Sequence, residues 1–298
     1  MIIAVTGSTG LVGSALVKAL EARGDLVRRL VRHAVRDAER EIAWNPDAGQ
    51  IDAAELNGVD AVVHLAGENI AGRRWSEDFK RRILESRTKG TRLLAETLAG
   101  LEMKPSVFVS ASATGYYGNR HDEEVDELAP SGNGFLAEVC REWEAATEPA
   151  HDADIRVVKL RIGPVLSPKG GALAKMLPPF KMGVGGVIGS GRQYFSWISL
   201  DDLVSAILFA LDNDSLAGPV NAVTPHPVTN REFTKTLGRV LGRPTIFPMP
   251  AFAARLAFGE MADEMLIGGV RVAPHELIKA KFPFEHPELE PALRHLIK

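Results

Sequence analysis

Much that would mark a specialised protein is missing from this sequence. Its 298 residues include a single cysteine, Cys140. An internal disulfide and a Cys-rich metal site are therefore both excluded. Asp+Glu number 38 against 35 Lys+Arg, a formal net charge of −3, so the basic excess of a nucleic-acid protein is absent. No apolar run approaches the roughly 18 residues that span a bilayer. The start, Met1-Ile2-Ile3-Ala4-Val5-Thr6-Gly7, lacks the basic region and long apolar core of a signal peptide. The expectation is a cytoplasmic protein with neither nucleic acid nor a membrane as partner; an organelle form that had lost its leader would read the same. Tyrosine is scarce too, with only Tyr116, Tyr117 and Tyr194. What is present, 45% apolar and 24% charged residues, is the composition of an ordinary globular chain. Its length suits one large domain or two closely joined ones.

Brief apolar runs rich in Val and Ile predict strands over residues 2–6, 26–31, 60–66, 106–112, 155–160 and 219–223. Helical patterns lie between them. Residues 11–23 carry Leu11, Ala15, Leu16, Ala19 and Leu20 on one stripe. Residues 76–99 open on Ser76 as N-cap, with Glu77 and Asp78 where the helix dipole favours acids. Residues 134–147 and 199–211 read as further helices. Asp201 and Asp202 begin the latter and are read as a helix start; no His or second carboxylate stands at ligand spacing, so no metal is expected.

Alternating strands and helices predict an α/β fold, a doubly wound parallel sheet of Rossmann type. Arg28 and Arg29 suggest that strand 26–31 lies toward an edge, because a doubly buried strand should not hold two arginines. From about Leu166 the chain turns rich in Gly and Pro. The expected division is a dinucleotide-binding domain over 1–165 and 195–225, with a smaller substrate lobe over 166–194 and 226–298.

The most informative motif is Thr6-Gly7-Ser8-Thr9-Gly10-Leu11-Val12-Gly13, placed after the first strand and opening a helix. Gly7 can make the tight turn, Gly10 can let backbone N–H groups approach a pyrophosphate, and Gly13 can let the helix lie close to the strand. No Gly-Lys-Ser/Thr follows, which argues against an ATP-type loop. An NAD protein usually places Asp or Glu about 20 residues on, to accept from the ribose 2′-hydroxyl. Here Val27-Arg28-Arg29-Leu30-Val31-Arg32-His33 contains no acid, and Arg32 stands 19 residues after Gly13. A guanidinium suits a 2′-phosphate, so NADP is expected over NAD by roughly 10- to 100-fold; a solvated surface arginine is the competing reading.

These residues carry a resemblance. Thr6 to Gly13, His64-Leu65-Ala66-Gly67, Ser110-Ala111-Ser112-Ala113-Thr114-Gly115-Tyr116-Tyr117-Gly118, Leu160-Arg161-Ile162-Gly163-Pro164-Val165-Leu166 and Trp197-Ile198-Ser199-Leu200-Asp201-Asp202-Leu203 resemble the extended short-chain dehydrogenase/reductase superfamily. Arg74-Trp75-Ser76, Ser86-Arg87, Phe135 to Cys140 with Trp143-Glu144, and the final lobe are similar to its atypical branch. Those members are the NAD-dependent epimerase/dehydratase-like "epimerase family" proteins. The resemblance runs nearly end to end. It implies NADP(H), a C-terminal lobe over the substrate and a nucleotide-sugar epimerase ancestry.

It also implies site roles. Gly7, Thr9, Gly10, Leu11 and Val12 would hold the pyrophosphate, and Arg32 the 2′-phosphate. Leu65, Ala66 and Gly67 would flank the cofactor ribose; Ser110, Gly163, Pro164 and Val165 would line the nicotinamide. Working members of the superfamily use a Ser and a Tyr-x-x-x-Lys. Ser112 matches the Ser, but Phe135 and Val139 stand at the Tyr and Lys positions, and neither moves a proton. A positioned acid/base contributes about 10²–10⁴-fold. Substitutes are Glu68, Tyr116 and Glu138, each with an ordinary reading as a helix cap, a pocket wall or a solvated residue. His64 reads as a satisfied core histidine. The expected activity is an epimerase-like oxidoreductase on a small polar or nucleotide-linked substrate, by a monomer or homodimer. A non-catalytic NADP(H) sensor is the alternative.

Overall fold

The computed structural model describes residues 1–298. Eight strands form one sheet. Six of them are β1 (Ile2–Thr6), β2 (Leu26–Val31), β3 (Glu41–Asn45), β4 (Gln50–Ile51), β5 (Ala61–His64) and β6 (Val107–Ala113). With strands Arg156–Ile162 and Gly218–Ala222, the spatial order is 218–222, 156–162, β6, β5, β1, β2, β3, β4. All neighbours are parallel except β3 and β4. This is the doubly wound α/β architecture that the alternating pattern predicts.

The helices α1 (Leu11–Ala22), α2 (Ala53–Leu56), α3 (Glu77–Ala99), α4 (Phe135–Ala145), α5 (Glu148–Asp152), α6 (Gly171–Lys181) and α7 (Leu200–Asp212) follow in chain order. The pleat decides which of them each strand residue meets. Ile3, Val5, Val63 and Val109 point to one face, into a core with Leu16 and Leu20 of α1 and Leu203 and Ile207 of α7. Ala4, Val62 and Phe108, one position out of phase, join Leu94 and Leu98 of α3 on the other face. Both faces being covered explains why the central strands read as unbroken apolar runs.

One expectation is corrected. Strand β2 is not toward the edge, since β3 and β4 lie outside it. Its arginines are tolerated because the sheet's rim offers them partners. Arg28 donates to the Glu55 carboxylate and to the Ala38 carbonyl at 3.0 Å, while Arg29 lies 3.8 Å from Glu21. Strand β3 went unread in the sequence, although Ile42 and Trp44 are buried and Ala43 and Asn45 exposed in strict alternation.

A third core gathers Leu166, Leu173 and Leu177 with Trp197, Phe233, Leu237, Leu289 and Leu293. It joins the loop-rich segment after Leu166 to the end of the chain. No helix is long and apolar enough to cross a membrane. The strand order reverses between β1 and β5, and open α/β sheets bind ligands at the carboxyl ends beside such a switch point.

Candidate cofactor and active site

The turn after β1 is built for close approach. Gly7 turns at φ +66°. A Cβ at Gly13 would fall 2.2 Å from the Gly7 carbonyl oxygen, so only glycine lets α1 start so near the strand. Gly10 stands as the N-cap of helix α1, with no side chain capping the helix and no acid in its first turn. Its first N–H groups and the positive end of its dipole are left for an anion. They face a cavity of about 820 Å³ that runs from Gly7, Thr9 and Gly10 past Leu65, Ala66 and Gly67 to Arg32. Arg32 is exposed at the end of β2 and makes no ion pair.

A buried network fixes the opposite wall. The Thr6 hydroxyl oxygen accepts from the Leu65 N–H at 3.1 Å and the Ala66 N–H at 3.2 Å. Its own proton therefore goes to His64 Nδ1, 2.7 Å away. His64 Nε2 then carries the ring proton and donates to Thr91 Oγ1 at 2.9 Å. Burial, then the Arg87 charge, pull the imidazole down to about 4. His64 is thus a neutral core residue that ties β1, β5 and α3 together behind the cavity.

The candidate catalytic residues separate into two places. Glu68 lines the phosphate cavity, where its carboxylate accepts from Arg82 at 2.9 Å. Ser112 and Tyr116 lie in a different, buried network. The Ser112 hydroxyl donates to Glu144 Oε1 at 2.7 Å. The same carboxylate takes both Arg161 Nε at 2.8 Å and Arg161 Nη2 at 2.9 Å. The Arg161 guanidinium sits 3.5 Å from the Tyr116 ring centre and donates to the Tyr117 hydroxyl at 2.9 Å. Burial opposes its charge, but the Glu144 and Tyr117 contacts outweigh it and raise its pKa. Burial pushes the Tyr117 phenol up to about 12 and the Cys140 thiol to about 12, so both stay protonated. Glu138 faces solvent on the outer side of α4.

Helix α4 has packed the two altered positions. Val139 is buried with Phe79 and Ile83 of α3. The Phe135 ring meets Trp75 edge-on at 5.1 Å between centres. At the amino end of α4, the Phe135 and Leu136 N–H groups donate to the Glu264 carboxylate at 3.2 and 3.4 Å. Gly134, at φ +107°, leaves the space that this carboxylate fills: a Cβ there would stand 2.4 Å from its oxygen. Sequence pattern gives no hint of Glu264, which comes from 129 residues away.

Arg87 is a second residue whose place only the fold reveals. Its guanidinium lies 5.0 Å from the Trp143 ring centre and donates to the carbonyls of Ile83 and Glu68, each at 3.1 Å. It forms no ion pair and packs directly beneath Gly67. Gly163 and Pro164 lead into the short strand Val165–Ser167, and the turn beyond brings Gly170 against the Leu11 side chain.

A glycine loop at a switch point, with one free guanidinium at the far end of its cavity, describes a dinucleotide-binding α/β protein. The NAD dependent epimerase/dehydratase family matches residues 3–222, and a Domain of unknown function (DUF1731) matches residues 249–296. The chain belongs to the NAD-dependent epimerase/dehydratase family. It is 49% identical over 292 residues to Epimerase family protein Mb2239 of Mycobacterium bovis, covering 98% of this chain and 96% of that one. It is 36% identical over 300 residues to Epimerase family protein SDR39U1 of Homo sapiens, covering 100% of both. The crystal structure of human SDR39U1 (isoform2) with NADPH aligns at TM-score 0.91 over 99% of each chain, at 36% identity.

Proposed function

We propose that this protein binds NADP(H) and acts as an epimerase-like oxidoreductase on a small polar or nucleotide-linked substrate. The observation that carries the cofactor half is the unpaired Arg32 at the end of a cavity whose other end is the uncapped start of α1. The residues that line the cavity, Gly7, Thr9, Gly10, Leu65, Ala66, Gly67 and Arg32, fit the group. Gly7, Thr9, Gly10, Leu11 and Val12 would take the diphosphate on helix N–H groups. Arg32 would take the 2′-phosphate by charge-assisted hydrogen bonds. Leu65, Ala66 and Gly67 would flank a ribose; Ser110, Gly163, Pro164 and Val165 would line the nicotinamide. The human relative's crystallisation with NADPH supports this reading. When bound, the cofactor supplies or accepts a hydride.

The chain's own residues set what else can happen. Ser112 spends its proton on Glu144, so toward a substrate it can accept a hydrogen bond but not give one. Tyr116 lies with its ring under the Arg161 guanidinium, beside the Ser112–Glu144–Arg161 network. Glu68, beside the Gly67 turn, is one of three carboxylates that line the cavity, with Asp47 and Glu85. We assign Tyr116 and Glu68 as the candidate proton-transfer groups and Ser112 as a positioning residue. The lobe of residues 166–194 and 226–298 would cover the substrate.

The packing of Phe135 and Val139 into apolar contacts favours a second reading, a sensor that binds NADP(H) without turnover. Calorimetry with NADPH and NADH tests the cofactor half: binding that prefers NADH would sink it. Loss of NADPH absorbance against a panel of carbonyl compounds and nucleotide sugars separates enzyme from sensor.

A further inference from the structure

We propose that Asp201, His286 and His295 form a binding site for one transition-metal ion of the zinc type, fastening the end of the chain to the start of α7. Three elements supply the ligands. Asp201 stands in the first turn of α7, His295 in the last turn of the C-terminal helix Leu289–Leu296, and His286 in the segment before that helix. Sequence spacing hides the cluster, since the histidines lie 85 and 94 residues beyond the aspartate.

The geometry is close to that of a coordination shell. His295 Nε2 is 3.0 Å from Asp201 Oδ2, and His286 Nε2 is 3.9 Å from the same oxygen. All three ligand atoms lie within 4.8 Å of one another. Ligands about 2.0–2.1 Å from a tetrahedral ion stand about 3.4 Å apart. Shifts of about half an ångström would bring the two measured edges to that value.

A hydrogen bond accounts for His295 but not for His286. The His286 ring has no hydrogen-bond partner of its own, yet turns Nε2 toward an oxygen already engaged. The two imidazoles stack with centres 4.4 Å apart and planes at 28°. That packing keeps both rings beside the Asp201 carboxylate. The backbone beneath is pinned, because Asp202 accepts from the Glu285 N–H at 2.8 Å and the His286 N–H at 3.0 Å. Two imidazoles and a carboxylate, without thiolate, select zinc, cobalt, nickel or copper over magnesium or calcium. The other such group, Glu148, His151 and Asp152, comes from one exposed turn, and its glutamate already accepts from Lys159 at 2.8 Å.

The test uses the full chain, free of any affinity tag and stripped with a chelator. Added Co²⁺ should bind one to one, with visible absorption bands of a four- or five-coordinate ion, and Zn²⁺ should displace it. Zinc at roughly 100-fold over its dissociation constant should raise the melting temperature by about 5 °C. His286→Gln and His295→Gln should each abolish both signals, while His151→Gln should leave them unchanged. Bands or stabilisation that persist in both histidine variants would overturn the site, as would their absence from the parent chain. Zinc-edge X-ray absorption on the parent needs no variant: two imidazoles in the shell support the site, and an all-oxygen shell refutes it.

Discussion

The Ser112 hydroxyl donates to Glu144 Oε1 at 2.7 Å while that carboxylate clasps Arg161 through two bonds. The serine that the family pattern places at the reaction centre is thereby one member of a buried ion-pair network. Removing the carboxylate strands a guanidinium in the interior. Glu144→Gln should cost about 3–5 kcal/mol, the usual penalty for breaking a buried pair from one side. Ser112→Ala loses only one hydrogen bond to a charged group, about 1.5–3 kcal/mol. Urea unfolding of the two variants checks the order; equal losses would mean that Arg161 finds another partner.

Arg32 carries the cofactor preference. Arg32→Ala should weaken NADPH binding by roughly 10- to 100-fold, and leave NADH nearly untouched. Titration by fluorescence of the bound nicotinamide reads both. A parallel loss for the two cofactors would move the 2′-phosphate contact elsewhere.

Gly13→Ala tests the close contact of helix and loop. The new methyl would stand 2.2 Å from the Gly7 carbonyl, so the loop must move. A stability loss of about 1–3 kcal/mol, typical of overpacking, should accompany weaker NADPH binding. An unchanged affinity would show that the diphosphate does not rest on this turn.

Restoring a family-like lysine should fail structurally. Val139 is enclosed by Phe79 and Ile83. Val139→Lys would bury an ammonium among apolar side chains, at a cost of about 3 kcal/mol or more. Thermal melting of Val139→Lys beside the milder Phe135→Tyr measures the difference.

His64 gives a pH dependence of known sign. Its pKa falls from 6.5 when unfolded to about 4 in the fold. The unfolded chain therefore binds more protons between those values, and stability falls as the pH drops. The contribution is complete above pH 6.5 and is lost progressively down to about pH 4, on the order of 3 kcal/mol. His64→Gln should flatten that part of a stability-against-pH curve. A curve that keeps its slope in the variant would assign the loss to other groups.

The central strands and the phosphate loop were legible because local rules govern them. Apolar runs mark strands buried on both faces, and the Gly7, Gly10 and Gly13 spacing marks a backbone that must come close. Strand β3 was missed because only Ile42 and Trp44 signal it. The edge reading of β2 failed because a sequence does not show that Glu55 and Ala38 wait for Arg28. Glu264 at α4, Arg87 under Gly67, and His286 with His295 beside Asp201 were illegible for one shared reason. Each is a meeting of segments far apart in sequence, and no local period records such a meeting.

The carboxylate of Glu264 at the head of α4 has an architectural consequence. A glycine at φ +107°, where any side chain would be strained, and an acid from far along the polypeptide operate as lock and key. Grafting the terminal region of a relative onto this body would need both halves carried over together. An exchange that moved only one would leave either an empty notch or a displaced acid, and would loosen the helix that bears Glu144.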